Sequence, residues 1–338
     1  MFVSSWSEMI EHVNDSLIEG RYRLDHEVGL GASGKVFRAT DLVLEREVAV
    51  KVVDGTRIGD PTIVERFRRE AIATAGLAHP NIVSVYDAGS EGERHHLVME
   101  LLSGPSVADL LKQYGQFDLQ RVVRIGAQVA RGLSAAHAIG LTHRDIKPGN
   151  VVKHDSITKI VDFGIARLGE AVWQTLTVAS TTVGTAAYMS PEQARGLDVG
   201  PPSDVYSLGC LLMTMATGKP PFVDPDPIET ARAHTSDVPP RLRDRRPEFP
   251  AELDELIDRM LAKDPDDRPS TSEVADALTD LEAQAKGMAS PVETREVLGE
   301  PESPATPARR HPDDVVPKRR RWWARHGKPH HQPRRAVR

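Results

Sequence analysis

His143-Arg144-Asp145-Ile146-Lys147-Pro148-Gly149-Asn150 and, twelve residues beyond Asn150, Asp162-Phe163-Gly164 place two acids, a lysine and an amide within twenty residues of chain. These side-chain types at this spacing suit the transfer of a phosphoryl group. That reaction needs little covalent help; it needs aligned reactants and neutralised phosphate charge. Asp145 can take the proton of an attacking hydroxyl, and Lys147 can balance charge on the moving group. Asn150 and Asp162 supply hard oxygen ligands of the kind magnesium takes. A solvated polar loop does not account for all of these residues together.

Two upstream segments extend the same chemistry. Gly29-Leu30-Gly31-Ala32-Ser33-Gly34-Lys35-Val36 has the GxxxxGK spacing of a P-loop. It then places Val36 where a P-loop needs a Ser or Thr hydroxyl for the metal. Val36-Phe37-Arg38-Ala39-Thr40 alternates like a strand rather than opening a helix. The segment reads better as a glycine-rich hairpin, GxGxxGxV, whose bare backbone can close over nucleotide phosphates. An ordinary hairpin turn is the competing reading. Lys51 follows at the inner end of the apolar strand Val48-Ala49-Val50. A glutamate on the next helix would give it a partner and aim its ammonium at the α- and β-phosphates. Glu70 is placed for this, with Glu65 the rival earlier in the helix.

The elements that must position these residues are legible in outline. Arg21–Val28, Val36–Asp41 and Glu47–Val53 are short strand-like runs between turn residues. Pro61–Ala78 has helical spacing, with Pro61 suited to an early helical position. Val83–Tyr86 and Leu97–Leu101 resume the strand pattern. From Ser106 to about Ala285 the chain reads as predominantly helical, interrupted by a loop-rich stretch from His143 to Glu192. A small sheet-rich part followed by a larger helical part is an α+β, two-lobed architecture. The boundaries fall at 1–20 for an N-terminal extension, 21–102 for the β-rich lobe and 103–286 for the helical lobe. Residues 287–338 form a Pro-rich linker and basic tail, where apolar periodicity vanishes and disorder is expected.

Composition narrows the class. The 338 residues, 39% hydrophobic and 27% charged, can bury a sizeable core. The net charge of −6 hides an asymmetry: from Pro291 onward twelve Lys/Arg face six Asp/Glu, so the preceding 290 residues carry −12 by difference. Cys210, the one cysteine, lies in an apolar run, which suits a buried structural thiol and cannot form an internal disulfide. Met1–Gly20 lacks the basic start and apolar stretch of a signal peptide, and no apolar run is long enough to span a bilayer. A cytoplasmic protein is the expectation. His95-His96 resembles a metal pair but falls where a surface hairpin turn is expected. His326, His330 and His331 are too loosely spaced for a metal site.

Taken together, these motifs resemble the Hanks-type, eukaryotic-like protein kinases, and more closely the bacterial serine/threonine kinases of actinobacterial style. The resemblance covers about Arg21 to Leu281 with the motifs in family order, including Gly184-Thr185, Ser190-Pro191-Glu192 in place of Ala-Pro-Glu, Asp204 at the start of a helix, and Arg268. It implies the bilobal protein-kinase fold, ATP with Mg²⁺ (or Mn²⁺) as cofactor, and protein substrates. It also implies residue roles. Asp204 would brace the catalytic-loop backbone, and Glu192 would pair with Arg268 to hold the substrate-docking region. Met99 would be the gatekeeper, with the Glu100 carbonyl and Leu102 amide holding the adenine edge. Val28, Val36, Ala49 and Val152 would sandwich the ring. Lys147 two residues after Asp145, and Thr185 in contact with both, point to Ser/Thr rather than Tyr acceptors. A pseudokinase usually lacks the metal aspartate, the lysine or the catalytic aspartate; Lys51, Asp145, Asn150 and Asp162 are all present.

Regulation is expected at two places. Arg144 before the catalytic aspartate implies a phosphorylated partner in the activation loop. Thr177 leads among Thr175, Thr177, Ser180, Thr181 and Thr182, and a homodimer would serve trans-autophosphorylation. The tail from Lys318 to Arg338 carries nine Lys/Arg, no acid, and Trp322-Trp323. Indole rings favour a membrane interface, and basic residues favour anionic lipid. A basic tail that simply keeps the protein soluble is the first reading; among binding roles, peripheral attachment to such a surface comes first, docking on the acidic body second and nucleic acid third. No membrane helix or extracellular sensor of the kind many relatives carry is evident.

Overall fold

The protein is described here by a computed structural model covering residues 17–31, 34–54, 71, 74–92, 94–163 and 186–288. Its first part is a six-stranded antiparallel sheet in the order β1-β2-β3-β4-β6-β5. The strands are β1 (Leu17–Ile18), β2 (Tyr22–Gly31), β3 (Gly34–Asp41), β4 (Arg46–Asp54), β5 (Val85–Glu91) and β6 (Arg94–Met99). β1 pairs with β2 through Leu17 and Ile18, so the sheet begins within the expected N-terminal extension.

Side-chain alternation gives the sheet two apolar faces. Val48 and Val50 of β4 join Tyr22, Leu24, Phe37, Ala39 and Val98 on one face. Ala49 and Val53 join Ala71, Val83, Leu97 and Met99 on the other. Lys51 shares the parity of Ala49 and Val53, which turns it inward, and its side chain is fully buried.

The helical part packs α1 (Val107–Tyr114), α2 (Leu119–Ala138), α3 (Pro191–Ala194), α4 (Pro201–Thr217), α5 (Pro227–Ser236), α6 (Leu242–Arg245), α7 (Ala251–Met260) and α8 (Thr271–Met288). α4 is apolar on nearly every side and runs through the core, packed with α2, α7 and α8. Its entry is set by Pro201 and Pro202 and its exit by Gly218 at φ 75. Cys210 lies in it, fully buried, and burial pushes its thiol far above the ordinary range. Among the described residues no helix is long and apolar enough to cross a membrane.

The structure corrects the sequence reading at four points. A two-stranded hairpin, β7 (Val151–His154) with β8 (Ile157–Ile160), lies inside the stretch expected to be loop. Four-residue strands are too short to display a period, and this pair is fixed by remote contacts, Ile160 N–H to Asn81 O at 2.9 Å and Val83 N–H to Ile160 O at 3.0 Å. β5 extends to Glu91, well past Tyr86, because Asp87-Ala88-Gly89-Ser90-Glu91 form an edge strand with a polar exposed side that reads locally as a turn. β6 correspondingly starts at Arg94, so His95 and His96 are buried in its middle rather than in a surface turn. As sequence neighbours on a strand they point to opposite faces and cannot share a metal. Finally, the helix expected to reach Ala78 ends at Ala75, with Gly76 in a turn. Ala71, Thr74 and Ala75 are helical, while the remainder up to residue 70, with Glu65 and Glu70, lies outside the described residues.

Candidate active site

The cleft between sheet and helices is built from both. From the sheet comes the β2–β3 hairpin, paired Gly29 with Val36, Leu30 with Lys35 and Gly31 with Gly34, its tip residues 32 and 33 lying outside the described set. Val36 continues as strand, so P-loop geometry is absent. Gly34 is required sterically: at φ 152, an added Cβ would stand 2.3 Å from the Val52 carbonyl oxygen. Lys51 Nζ crosses the cleft to Asp162 Oδ1 at 2.9 Å, the lysine fully buried and the carboxylate 21% exposed. An ammonium and a carboxylate are thereby joined across 111 residues of sequence.

From the helical side comes the loop after α2. Lys147 Nζ lies 2.8 Å from Asp145 Oδ2. Asn150 Nδ2 donates to Asp145 O at 2.8 Å and to Asp145 Oδ2 at 3.0 Å. Both amide hydrogens of Asn150 therefore go to Asp145, so its carbonyl oxygen is the atom suited to a hard cation. Val161 N–H donates to Asn150 O at 3.0 Å, tying the Asn150 segment to the one that leads into Asp162.

Two non-glycine residues here occupy the left-handed region, Arg144 at φ 68 and Asp162 at φ 62. Such conformations persist only where the surroundings impose them. At Arg144 they do so from both sides. Its N–H donates to Asp204 Oδ1 at 2.7 Å, and its carbonyl accepts from Gln193 Nε2 at 2.9 Å. Asp204 Oδ2 also accepts the His143 N–H at 2.8 Å and bonds His137 Nε2 at 2.8 Å. The first turn of α4 thus projects a fully buried carboxylate at the loop backbone. His143 Nδ1 accepts the Asp145 N–H at 3.1 Å, which leaves Nε2–H to donate to Val161 O at 2.9 Å. The imidazole is then the neutral Nε2–H tautomer, assigned from this network. Its ring meets Phe163 edge-on at 4.7 Å.

Behind the loop, Glu192 and Arg268 form a bidentate pair with both contacts at 2.8 Å, and Ser203 Oγ also donates to Glu192. Burial opposes ionisation of Glu192, but the hydrogen bonds from Arg268 and Ser203 prevail and hold its carboxyl below the usual range. Ser190, read in the sequence as standing in place of the alanine of an Ala-Pro-Glu motif, uses its hydroxyl. It caps α3 reciprocally with Gln193, the residue that also grips Arg144.

Of the residues expected around an adenine ring, Val36, Ala49, Met99 and Leu102 fall in one apolar cluster. Val28 is 51% exposed, and Val152 lies in β7, partnered across a bridge with Ser106; neither belongs to that cluster. Glu100 follows β6, in the connection to the helical part. Glu70, Thr175, Thr177, Ser180, Thr181, Thr182, Thr185, Gly164 and the tail from residue 289 lie outside the described residues. The sequence reading missed His137, His143 and Gln193 as supports of the loop. Only His143 had a local signal, its place beside Arg144-Asp145.

Comparison with known proteins agrees with this geometry. Residues 22–278 match the protein kinase domain family. The chain is 42% identical over 254 residues to the serine/threonine-protein kinase PknA of Mycobacterium tuberculosis, covering 73% of this chain and 58% of that protein. It is 39% identical over 267 residues to PknB of Mycolicibacterium smegmatis, covering 78% and 42%. The chain therefore spans about half the length of these curated relatives. The crystal structure of the Mycobacterium tuberculosis PknI kinase domain matches it with a TM-score of 0.64 and 28% identity, over 79% of this chain and 98% of that one. With a β-sheet lobe, a helical lobe and this cleft between them, the chain belongs to the protein kinase domain family, among bacterial serine/threonine kinases related to PknA, PknB and PknI.

Proposed function

We propose that the protein transfers the γ-phosphoryl group of ATP to serine or threonine hydroxyls of other proteins. The observation that carries this reading is the meeting of Lys51 with Asp162 and of Asp145 with Lys147 and Asn150 in one cleft. Lys51 binds the α- and β-phosphates. Asn150 and Asp162 are the residues that would hold Mg²⁺, and their oxygen donors fit it. The metal would supply neutralisation of phosphate charge. The acceptor hydroxyl oxygen attacks the γ-phosphorus as the bond to the β-phosphate oxygen breaks, and its proton passes to Asp145. ADP leaves, and Lys147 compensates charge on the group in flight. Asp204 and Gln193 keep Asp145 in place by fixing Arg144.

Incubation of the full chain with γ-labelled ATP, Mg²⁺ and a generic protein acceptor tests this. Label should enter serine and threonine with the wild type and not with Asp162→Asn. Equal incorporation by the variant would remove Asp162 from the reaction.

The same reading extends to activation by autophosphorylation, in which a second copy supplies the catalytic cleft. A phosphate adds about −1.5 to −2 charges and can order a loop by pairing with arginine. Arg144, beside Asp145, is the arginine so placed, and Thr177 is the leading acceptor because the resemblance implies it, its distance from Asp162 matching the phosphorylated threonine of similar bacterial kinases. Mass spectrometry after incubation with ATP should find phosphate between residues 175 and 182. A fully active enzyme with that segment unmodified would sink the idea.

A further inference from the structure

The connection between the two lobes is clamped at both ends by the same small hairpin. At its far end Lys153 N–H donates to Pro105 O at 3.0 Å. Gly104 lies so close to β7 that an added Cβ would stand 1.9 Å from the Lys153 carbonyl oxygen. At its near end the clamp is made by side chains. Glu100 Oε2 accepts from Lys159 Nζ at 2.8 Å and from Ser84 N–H at 3.2 Å. Glu100 Oε1 stands 3.6 Å from His154 Nε2. The Lys159 ammonium also reaches the Ile82 carbonyl at 3.5 Å.

This ion pair is largely desolvated, with Lys159 9% and Glu100 17% exposed in their side chains. Burial opposes ionisation of Glu100, and the hydrogen bonds from Lys159 and Ser84 overcome it, holding the carboxyl below its ordinary range. An exposed pair would be soft and contribute little; removing one partner of a buried pair leaves an uncompensated charge. Lys159 and His154 belong to β8 and β7, the hairpin that begins directly after Asn150 and ends two residues before Asp162. One hairpin therefore holds the connection at Glu100 and carries both oxygen ligands at its base.

We infer that Lys159 is a positioning residue for ATP: through Glu100 it sets the separation between the backbone that would receive the adenine edge and the Asn150–Asp162 end that would receive the phosphates. This rests on the reading of the cleft as an ATP site. Lys159 touches no reacting atom. Its role is geometric: it sets where the adenine-receiving and phosphate-receiving elements stand relative to each other.

The test is steady-state kinetics on the full chain, with ATP and protein acceptor varied independently, for the wild type, Lys159→Met and Lys159→Arg. Lys159→Met should raise the KM for ATP roughly tenfold, leave the KM for the acceptor unchanged, and hold kcat at saturating ATP within about twofold. Lys159→Arg should restore most of the loss. Adenosine reaches only the adenine end, so Lys159→Met should weaken its binding less than that of ATP. Thermal unfolding identifies a variant that has simply lost its fold, and Lys159→Arg then carries the comparison. Four results would overturn the role: an unchanged KM for ATP in folded Lys159→Met, an equal rise in both KM values, equal losses for adenosine and ATP, or a raised kcat, which would make the pair a restraint. A wild type that transfers no phosphate from ATP sinks the underlying reading of the cleft. An active wild type with any of those four results removes only Lys159.

Discussion

Asp145 and Lys51 sit in the same cleft with different neighbours, and their substitutions should separate accordingly. Asp145 is held by Lys147 and by the doubly donating Asn150 amide. Its proposed partner is the acceptor hydroxyl, not the nucleotide. Asp145→Asn should lower kcat by about 10²–10⁴-fold, the usual range for a lost proton acceptor, while leaving the affinity for ATP unchanged. Lys51 is fully buried against Asp162, and Lys51→Met, which keeps much of the side-chain shape, should abolish transfer in a folded protein. Isothermal titration with ATP alongside single-turnover kinetics reads both. Near-normal turnover in Asp145→Asn would reassign the proton.

At the scale of elements, the loop carrying Asp145 is stationed by α3 and α4, and these are pinned in turn by Glu192 and Arg268. The pair is buried on both sides, 0% exposed at Arg268 and 6% at Glu192. Removing one member of such a pair typically costs about 3–5 kcal/mol, because the other charge stays buried alone. Arg268→Met should therefore lower stability by about that amount in denaturant titration. The pH dependence has a definite sign. Glu192 in the folded protein sits below its ordinary value of 4.5, so its contribution is fully present above that value and fades as pH falls through the lower folded one. Stability of the wild type should drop along this acid limb, and Arg268→Met should flatten the drop. An unchanged acid limb in the variant would mean that Glu192 is not the group titrating there.

At the scale of the whole molecule, charge is divided unevenly along the chain. An acidic body of −12 is joined to a tail with nine Lys/Arg and no acid between Lys318 and Arg338. On the proposal that the tail meets an anionic leaflet, each basic residue near it would contribute roughly 1 kcal/mol, so several together would suffice for reversible attachment. The full chain should co-sediment with anionic vesicles at low salt and release at high salt. It should lose binding when cut after Pro317. Equal binding by the shortened protein would clear the tail of this role, and salt-sensitive docking of the free tail on the kinase body would favour the internal alternative.

The chemistry-bearing residues were legible in the sequence because they cluster locally. Asp145, Lys147, Asn150 and Asp162 lie within eighteen residues, and a spacing between near neighbours survives without knowledge of the fold. Strands β2, β3 and β4 were legible for a related reason, since alternation is a local property of a half-buried strand. The resemblance, rather than the residues alone, pointed to Asp204 and to the Glu192–Arg268 pair. What only the tertiary structure decided lies between residues far apart in sequence. Lys159 meets Glu100 across 59 positions, Gln193 grips Arg144 across 49, and His137 meets Asp204 across 67. None of these leaves a period or a motif, because each depends on strand register and on how sheet and helices approach. The burial of His95 and His96 was hidden likewise: a histidine carries no local sign of its surroundings, and only the pairing of β6 between β4 and β5 encloses them.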